Sequence, residues 1–496
     1  MILLNPLLGI KEYVEWLEER ELLVRVKEPL SPILEIPYFL RKVMYSSGPA
    51  VLFESVKGFE GWRVCGNLFP SVFTISSALG INSFEEISER LISLITHQQA
   101  QGITEKIKAF SDASKLLGYF PKKVNKAEFE EKVIEGKDNP LDKIPFFKTW
   151  PMDGGRYATF PMVITKDPAK GIINMGVYRV MIVNGRKGII HWQVHKRGAM
   201  AYSVTKEMKA KEMPVAIIIG SDPGTMISAV SPVPYPIDKM LFAGMVRGRG
   251  VELFELDNGI PVPSNSEIVI EGSVRVDELA SEGPFGDHWG YYDTPTEMYP
   301  VFTVERVYMR ENPIYYGSVT GLPPLEDAVM GKIVEKMFKP FIKLLLPEVV
   351  DISYPVYGIF QGMVVVSIKK RYPGQAKKVM NALWGLAQSS LTKIVIVVDE
   401  DIDVNNLDKV IWAVSSNVEP QRDVVVIPYT HTDALDPASI SHSYGGKLGI
   451  DATRKLPEEN FGREWPKIVE DDKNVKEKID PLVEKLLKSF KGLDRF

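Results

Sequence analysis

Cysteine is almost missing from this 496-residue chain; Cys65 is the only one. A single thiol excludes an intrachain disulfide and a thiolate metal cluster. It also agrees with a reducing, cytoplasmic setting. Histidine is scarce, with six in all. There is no excess of positive charge, because 60 Lys and Arg face 64 Asp and Glu. A broad nucleic-acid surface needs a basic surplus, so that class is not expected. No apolar run approaches the roughly 18 residues of a membrane span. The apolar start, Met1-Ile-Leu-Leu-Asn-Pro-Leu-Leu8, lacks a basic flank, and Pro6 and Glu12 interrupt it, unlike a signal peptide. There is no internal repeat and no low-complexity segment. A Rossmann glycine fingerprint is absent, and the Gly-rich loop Ser443-Tyr-Gly-Gly-Lys-Leu-Gly449 lacks Walker spacing.

What is present is ordinary globular composition, 45% hydrophobic and 25% charged. The length allows two to four domains at about 100–200 residues each. Residues 1–120 read as a small α/β domain. A helix is expected over 10–20, with Ile10, Val14 and Leu17 on one face. Strands are expected at 51–53 and 62–64. Ser83-Phe-Glu-Glu86 has a capping-box pattern, with Phe84, Ile87, Leu91 and Leu94 following at helical spacing. The charged stretch 122–143 reads as a linker. Within 121–322, short β-rich runs at 161–165, 177–183, 215–219, 251–256, 267–274 and 301–309 point to a barrel or sandwich. Helices near 198–212 and 237–246 interrupt it. Residues 323–496 begin with a long helix through Leu345. Apolar strand runs at 364–368, 394–398 and 424–427 then alternate with helices at 375–388 and 406–415, the spacing of βαβ units and a parallel sheet. The charged tail from Glu470 places Ile479, Leu482, Val483, Leu486, Leu487 and Phe490 at helical spacing, a face suited to a neighbouring subunit.

Three elements can carry chemistry. Arg179 sits in an apolar run, and its charge does not neutralise, so it either faces solvent or has an anionic partner. Glu282-Gly-Pro-Phe-Gly-Asp287 is a tight loop between two carboxylates. It is either a surface turn or a device that turns both carboxylates into one cavity, where one pKa would rise. His191 and His195 are four apart and would share a face of a regular element. They are either structural or, with Asn174 and a carboxylate, part of an N/O site for Mn²⁺ or Mg²⁺. Asp399-Glu-Asp-Ile-Asp403 reads as a solvated strand-end turn.

Taken together, these stretches resemble the UbiD-type (3-polyprenyl-4-hydroxybenzoate decarboxylase) family of prenylated-flavin enzymes. The matching segments are Asn174…Arg179, Trp192…His195-Lys-Arg-Gly198, Ser231-Pro-Val-Pro234, Phe242-Ala-Gly244…Arg247-Gly248 and Glu282-Gly-Pro-Phe-Gly-Asp287-His288. Pro300-Val-Phe-Thr303, Thr320-Gly-Leu-Pro-Pro324 and Gly449-Ile-Asp-Ala-Thr453 continue them in the same order. The resemblance implies an N-terminal α/β domain, a central split β-barrel that binds the flavin, and a C-terminal α/β domain that builds homodimers or homohexamers. It implies reversible, non-oxidative decarboxylation of an aromatic or α,β-unsaturated acid by cycloaddition to prenylated FMN, CO₂ loss, protonation and cycloreversion. A flavin prenyltransferase would supply the cofactor. Arg179 would hold the substrate carboxylate beside Glu282, and Asp287 would be the acid. Asn174, Val177, Tyr178, Arg179, His191, Trp192, Gln193, His195, Lys196, Arg197 and Lys239 would line the cofactor. Asn174 and His195 would ligate a divalent metal at the flavin phosphate, with K⁺ or Na⁺ near Ser231. A Lys-, Ile-, Val- and Glu-rich composition hints at a thermophile. An archaeal anhydromevalonate-phosphate decarboxylase, a plain flavin reductase and a non-catalytic subunit of a carboxylase are the alternatives.

One position departs from the family. Relatives carry a Glu as third metal ligand, five residues before the Gly of Phe-Ala-Gly, and here that position is Lys239. An ammonium has donors and no lone pair, so it cannot ligate a cation. Three outcomes are open. Asp238 restores the ligand, the site is dead, or Lys239 itself neutralises the flavin phosphate and the divalent metal is weak or absent. The last is favoured.

Overall fold

A computed structural model describes residues 7–96 and 117–488, without the side chains of 93–96. Residues 1–6, Phe490 and the side chain of Leu94 therefore lie outside the described residues.

The N-terminal residues form the expected α/β unit. Helix Ile10–Glu18 buries Ile10, Tyr13, Val14 and Leu17. A four-stranded sheet runs in the order Leu23–Val26, Ala50–Phe53, Arg63–Gly66 and Ile314–Tyr316. The first pair is parallel and is joined by helix Glu35–Tyr45. The last strand comes from far along the chain and pairs in parallel with Arg63–Gly66. The stretch 122–143 is not a linker. Lys122–Val124 pairs with Glu252–Glu255, and Lys132–Glu135 pairs with the end of Met298–Met309. Its charges point outward from edge strands, and Phe129 is fully buried, so hydrophobic period alone did not reveal it.

The middle of the chain folds into a curled, nine-stranded, largely antiparallel sheet. Its path is Arg156–Ala158, Val180–Ile182, Lys187–Ile190, Met298–Met309, Ile268–Ser281, Glu212–Ile219, Met162–Lys166 and Ile173–Val177, with Lys132–Glu135 off the path. Met162, Ile164, Ala216 and Ile218 face one core. Val163, Val215, Ile217 and Ile219 face the other, as the two-residue period of a strand requires. The two longest strands slip register between Glu271 and Gly272 and between Val274 and Leu279. Such bulges bend a sheet and increase its twist.

The topology explains the curl. Ile173–Val177 ends the path on one side, and Val180–Ile182 is second from the other side. Only Tyr178 and Arg179 separate them in sequence. A two-residue link spans about 7–10 Å, so the two sides of the sheet must meet there. The single strand expected at 177–183 is thus broken at these two residues. The helices expected near 198–212 and 237–246 are Arg197–Glu207 and Lys239–Arg247. The sequence reading missed helix Pro223–Val230, whose cap Asp222 accepts the Thr225 N–H at 2.9 Å.

The C-terminal sheet runs Val349–Ser353, Met363–Ile368, Ile394–Asp399, Tyr444–Asp451 and Val424–His431. Val364, Val366, Val395 and Val397 pack beneath helix Gln375–Gly385. Val365, Ile396 and Val398 pack against Val410 and Ala413 of helix Leu407–Asn417. The expected parallel core is present, with one correction. Val424–His431 is antiparallel, and the third parallel strand is Tyr444–Asp451, which includes the stretch read as a Gly-rich loop. Gly449 is needed there because a Cβ would meet Met380 Sδ at 2.6 Å. The acidic turn after Ile394–Asp399 is an ion-pair site for Arg454, which donates to Asp399 at 3.0 Å and also to Asp401. No described helix is long and apolar enough to cross a membrane.

Candidate active site

Arg179 is the centre of a buried charge cluster. Its Nε and Nη2 donate to the two oxygens of Glu282 at 2.7 and 3.0 Å. Nη1 donates to Asp287 at 3.0 Å, and Nη2 also donates to Asp293 at 2.5 Å. The Phe285 ring lies 4.7 Å from the guanidinium carbon. Three catalytic candidates, Arg179, Glu282 and Asp287, therefore converge. The loop 282–287 turns both of its carboxylates inward, as expected, although Phe285–Gly286 also forms a short ribbon with Tyr292–Asp293.

The loop is fixed from below. Asp153 accepts the N–H groups of Thr149, Trp150 and Gly286 at 2.9, 2.8 and 2.9 Å. Tyr157 donates its hydroxyl to the Gly283 carbonyl at 3.0 Å. Gly154 and Gly283 touch so closely that a Cβ on Gly154 would lie 2.5 Å from the Gly283 Cα. Only glycine permits that approach.

His191 is held beside Arg179 by its N–H bond to the Arg179 carbonyl at 3.1 Å. Its Nδ1 meets Glu282 at 2.7 Å, and its ring stacks on Tyr299 with centroids 4.5 Å apart. It does not share a face with His195, because residues 191–196 are neither helix nor strand. His288 makes a short Nδ1 contact with Asp287, and its N–H donates to the same carboxylate at 2.6 Å.

The electrostatics correct one expectation. Asp287 was expected to be kept protonated by Glu282. Burial does push its carboxyl up, but the His288 imidazolium and then Arg179 outweigh burial and hold it well below the carboxylate range. Burial opposes charge on His288 too, yet Asp287 raises it to about 9. Glu282 is lowered, with Arg179 and His191 overcoming its burial. Arg179, which cannot deprotonate, sets the state of Glu282, while Asp287 and His288 chiefly set each other's.

A second group begins at Tyr178, the neighbour of Arg179. The Tyr178 hydroxyl accepts from Asn174 Nδ2 and from the Gly198 N–H, each at 3.4 Å. Val177 ends its strand one residue earlier. Trp192 lies edge-on to Tyr178 at 6.4 Å, and its Nε1 has no hydrogen-bond partner among the described residues. Gly198 is required because a Cβ would lie 2.6 Å from that nitrogen. Gln193 is buried, and its carbonyl accepts the Lys196 N–H at 2.9 Å. His195 has both ring nitrogens buried without hydrogen-bond partners among the described residues. Burial, then Lys196, pushes its pKa down to about 3, so it is neutral. Arg197 donates to the Ile237 carbonyl at 3.0 Å. Lys239 is buried beside Lys196 and Arg197. Among the described residues none of these three cations has an ion-pair partner within salt-bridge distance.

Lys239 is buried and Lys196 and Arg197 are half-buried, and three cations without an ion-pair partner among the described residues fit an anionic group such as the phosphate of a flavin nucleotide. They do not fit a divalent metal. Among the described residues no three His, Cys, Asp or Glu side chains gather to hold one. Asp238 does not replace the missing ligand. One of its oxygens caps helix Lys239–Arg247 by accepting from Met240 at 2.8 Å, and the other accepts from Ile173 at 2.9 Å.

The C-terminal unit reaches this site, which the sequence reading did not anticipate. His431 stands 5.3 Å from His195, ring to ring. Phe360 faces His288 at 5.3 Å, and Asp433 supports the charge on Lys196. Asp293 was missed as well. Its nearest signal was its place six residues beyond Asp287 across a Gly-containing turn.

Comparisons with known proteins identify the family. Residues 122–323 match the Rift-related domain of 3-octaprenyl-4-hydroxybenzoate carboxy-lyase, 14–91 its N-terminal domain and 328–452 its C-terminal domain. The chain belongs to this UbiD family of carboxy-lyases. An uncharacterised protein of Aeropyrum pernix is 53% identical over 470 residues, covering 95% of this chain and 96% of that one. One of Archaeoglobus fulgidus is 44% identical over 474 residues, covering 95% and 97%. Among solved structures, vanillic acid decarboxylase of Sedimentibacter hydroxybenzoicus in its closed form gives a TM-score of 0.84 at 28% identity, covering 97% of this chain and 99% of that one. Its open form gives 0.73. The UbiD-class enzyme HmfF of Pelotomaculum thermopropionicum in complex with FMN shares the fold, with a TM-score of 0.75 at 24% identity, covering 94% and 98%.

Removing the guanidinium should leave three buried carboxylates facing one another. Arg179→Ala is expected to cost about 3–5 kcal/mol at neutral pH. The loss should shrink as pH falls, since protonation then relieves the repulsion. Urea unfolding at neutral and acidic pH measures both effects.

Proposed function

We propose that this chain is a carboxy-lyase that reversibly and non-oxidatively decarboxylates an aromatic or α,β-unsaturated carboxylic acid with prenylated FMN. The observation that carries this reading is the buried Arg179 guanidinium, shared by Glu282 and Asp287 and next in sequence to Tyr178 of the second group. Asn174, Val177, Tyr178, Trp192, Gln193, His195, Lys196, Arg197 and Lys239 line the place for the cofactor, with the phosphate among the cations. The bound flavin supplies reversible addition to the substrate double bond and a sink for the electrons left when CO₂ departs, which no side chain offers.

The chain's own residues bind, orient and move the proton. Arg179 holds the substrate carboxylate, and a fourth carboxylate cannot join three without displacing one. Asp293 gives way, because its side chain is 11% exposed, against 0% for Glu282 and 7% for Asp287. Glu282 and His191 keep the guanidinium plane fixed. His288 holds the proton at rest, and Asp287, an ionised carboxylate, takes it from His288 and passes it to the carbon that has lost CO₂. The enclosing His431 and Phe360 help keep water from the reacting carbon.

Helix Lys473–Leu487 leaves Ile479, Leu482 and Val483 exposed. We assign this face to contact with a second copy, in a homodimer or homohexamer. Light scattering at micromolar concentration should give a mass above that of one chain. A monomer mass would contradict the assignment.

Function is tested by co-expressing the chain with a flavin prenyltransferase. CO₂ release and CO₂ exchange are then followed with 4-hydroxybenzoates, cinnamate-like acids and unsaturated aliphatic phosphate acids. No release from any of them by flavin-loaded protein would sink the reading. Asp287→Asn should lower turnover by about 10²–10⁴-fold while flavin absorbance is retained. Because His288 is charged below a pKa of about 9, activity should hold through neutrality and fall as pH rises through that value. His288→Gln should remove this alkaline limb.

A further inference from the structure

Lys239 is 4% exposed, and its ammonium meets no carboxylate among the described residues. It meets backbone oxygens instead. Nζ donates to the Ser228 carbonyl at 2.9 Å, to the Ser231 carbonyl in a shorter contact, and approaches the Ala229 carbonyl at 3.4 Å. All three belong to the last turn and cap of helix Pro223–Val230. The final carbonyls of a helix lack intrahelical partners and carry its partial negative charge. Three acceptors around one nitrogen match the three N–H groups of an ammonium, whereas a neutral amine has only two.

A ring of carbonyl oxygens around one buried monovalent charge is also how proteins replace the hydration shell of an alkali cation. The same carbonyls cannot serve both. A divalent ion has no third ligand here and would face Lys196, Arg197 and Lys239 together. The residues present therefore disagree with both metals that the family resemblance implied.

We propose that the Lys239 ammonium is a built-in cation, seated among the Ser228, Ala229 and Ser231 carbonyls where a monovalent metal ion would sit, so that the anion site of this chain works without metal. The proposal rests on the flavin reading only for the identity of the anion. The substitution of lysine for metal can be tested without turnover.

The test uses the full chain, with FMN as the probe. Melting temperature and FMN affinity are measured in KCl, NaCl, NH₄Cl and tetramethylammonium chloride at equal ionic strength, beside metal analysis of the purified protein. Wild type should hold no stoichiometric metal and should give the same values in all four salts. Lys239→Ala should melt lower and bind FMN at least about tenfold more weakly, a change of about 1.4 kcal/mol. Potassium or ammonium should restore much of both losses, and tetramethylammonium, too large for the carbonyl ring, should not. A wild type that needs K⁺ or carries stoichiometric Mn²⁺ overturns the proposal, even if the variant fails to fold. A folded variant that no small cation rescues overturns it too, since lysine would then be packing alone. Failure of decarboxylation with these salt results intact would count against the proposed function and leave the built-in cation standing.

Discussion

One buried guanidinium organises the site. Arg179 cannot shed its charge, and burial of an unpaired charge is too costly to survive folding. It is therefore surrounded by Glu282, Asp287 and Asp293, and those carboxylates would repel one another without it. The states of the neighbouring groups follow from this centre. Glu282 stays ionised, His191 is kept neutral by burial and by the adjacent guanidinium, and the excess negative charge draws a proton onto His288. A group of this kind is poised for an anionic substrate, because its internal carboxylates already occupy the geometry an incoming one must take.

The backbone places that centre where the sheet closes. Tyr178 and Arg179 are the two-residue link between opposite sides of a nine-stranded sheet. The link makes curling obligatory, and register shifts in the two longest strands make it possible. Successive residues point to opposite faces. Arg179 thus enters the carboxylate cluster while Tyr178 enters the cation cluster beside Asn174 and Gly198. Two chemically opposite halves of one site are set by a single dipeptide. The glycine contact between Gly154 and Gly283, with Asp153 beneath it, then fixes the height of the acidic loop.

The cation cluster has a different logic. Lys196, Arg197 and Lys239 are brought together by tertiary structure and find no acid among the described residues, so their field favours a bound anion. Burial, then Arg197 and Lys196, push the Lys239 pKa down, and the exposed carbonyls of a helix end oppose that by favouring the ammonium. The C-terminal unit completes the enclosure through His431, Asp433 and Phe360. Its strands are far from the motifs in sequence, yet its residues lie over both clusters.

Much was legible beforehand because it depends on local pattern. The helix at Ile10–Glu18 follows from apolar spacing, and the parallel strands at Met363–Ile368 and Ile394–Asp399 follow from short apolar runs between helices. Gly and Pro marked a tight loop between Glu282 and Asp287, and their convergence was expected from the roles that the family resemblance implied. Family membership was legible from ordered motifs over most of the chain. Other features were not, because they depend on partners distant in sequence. The strands Lys122–Val124 and Lys132–Glu135 carry charge outward and gain stability from edges contributed by residues more than 100 positions away. In Tyr444–Asp451, Gly449 lies against Met380 and Trp384, a contact no local pattern contains. The protonation of Asp287 was misjudged because His288 and Arg179 set it, and their distances exist only in three dimensions. The sequence by itself determined many of the elements, the family and the presence of Lys239 where the family resemblance implied a Glu. Only the tertiary structure decided what that lysine does, since the carbonyls that receive it become neighbours only when two helices pack.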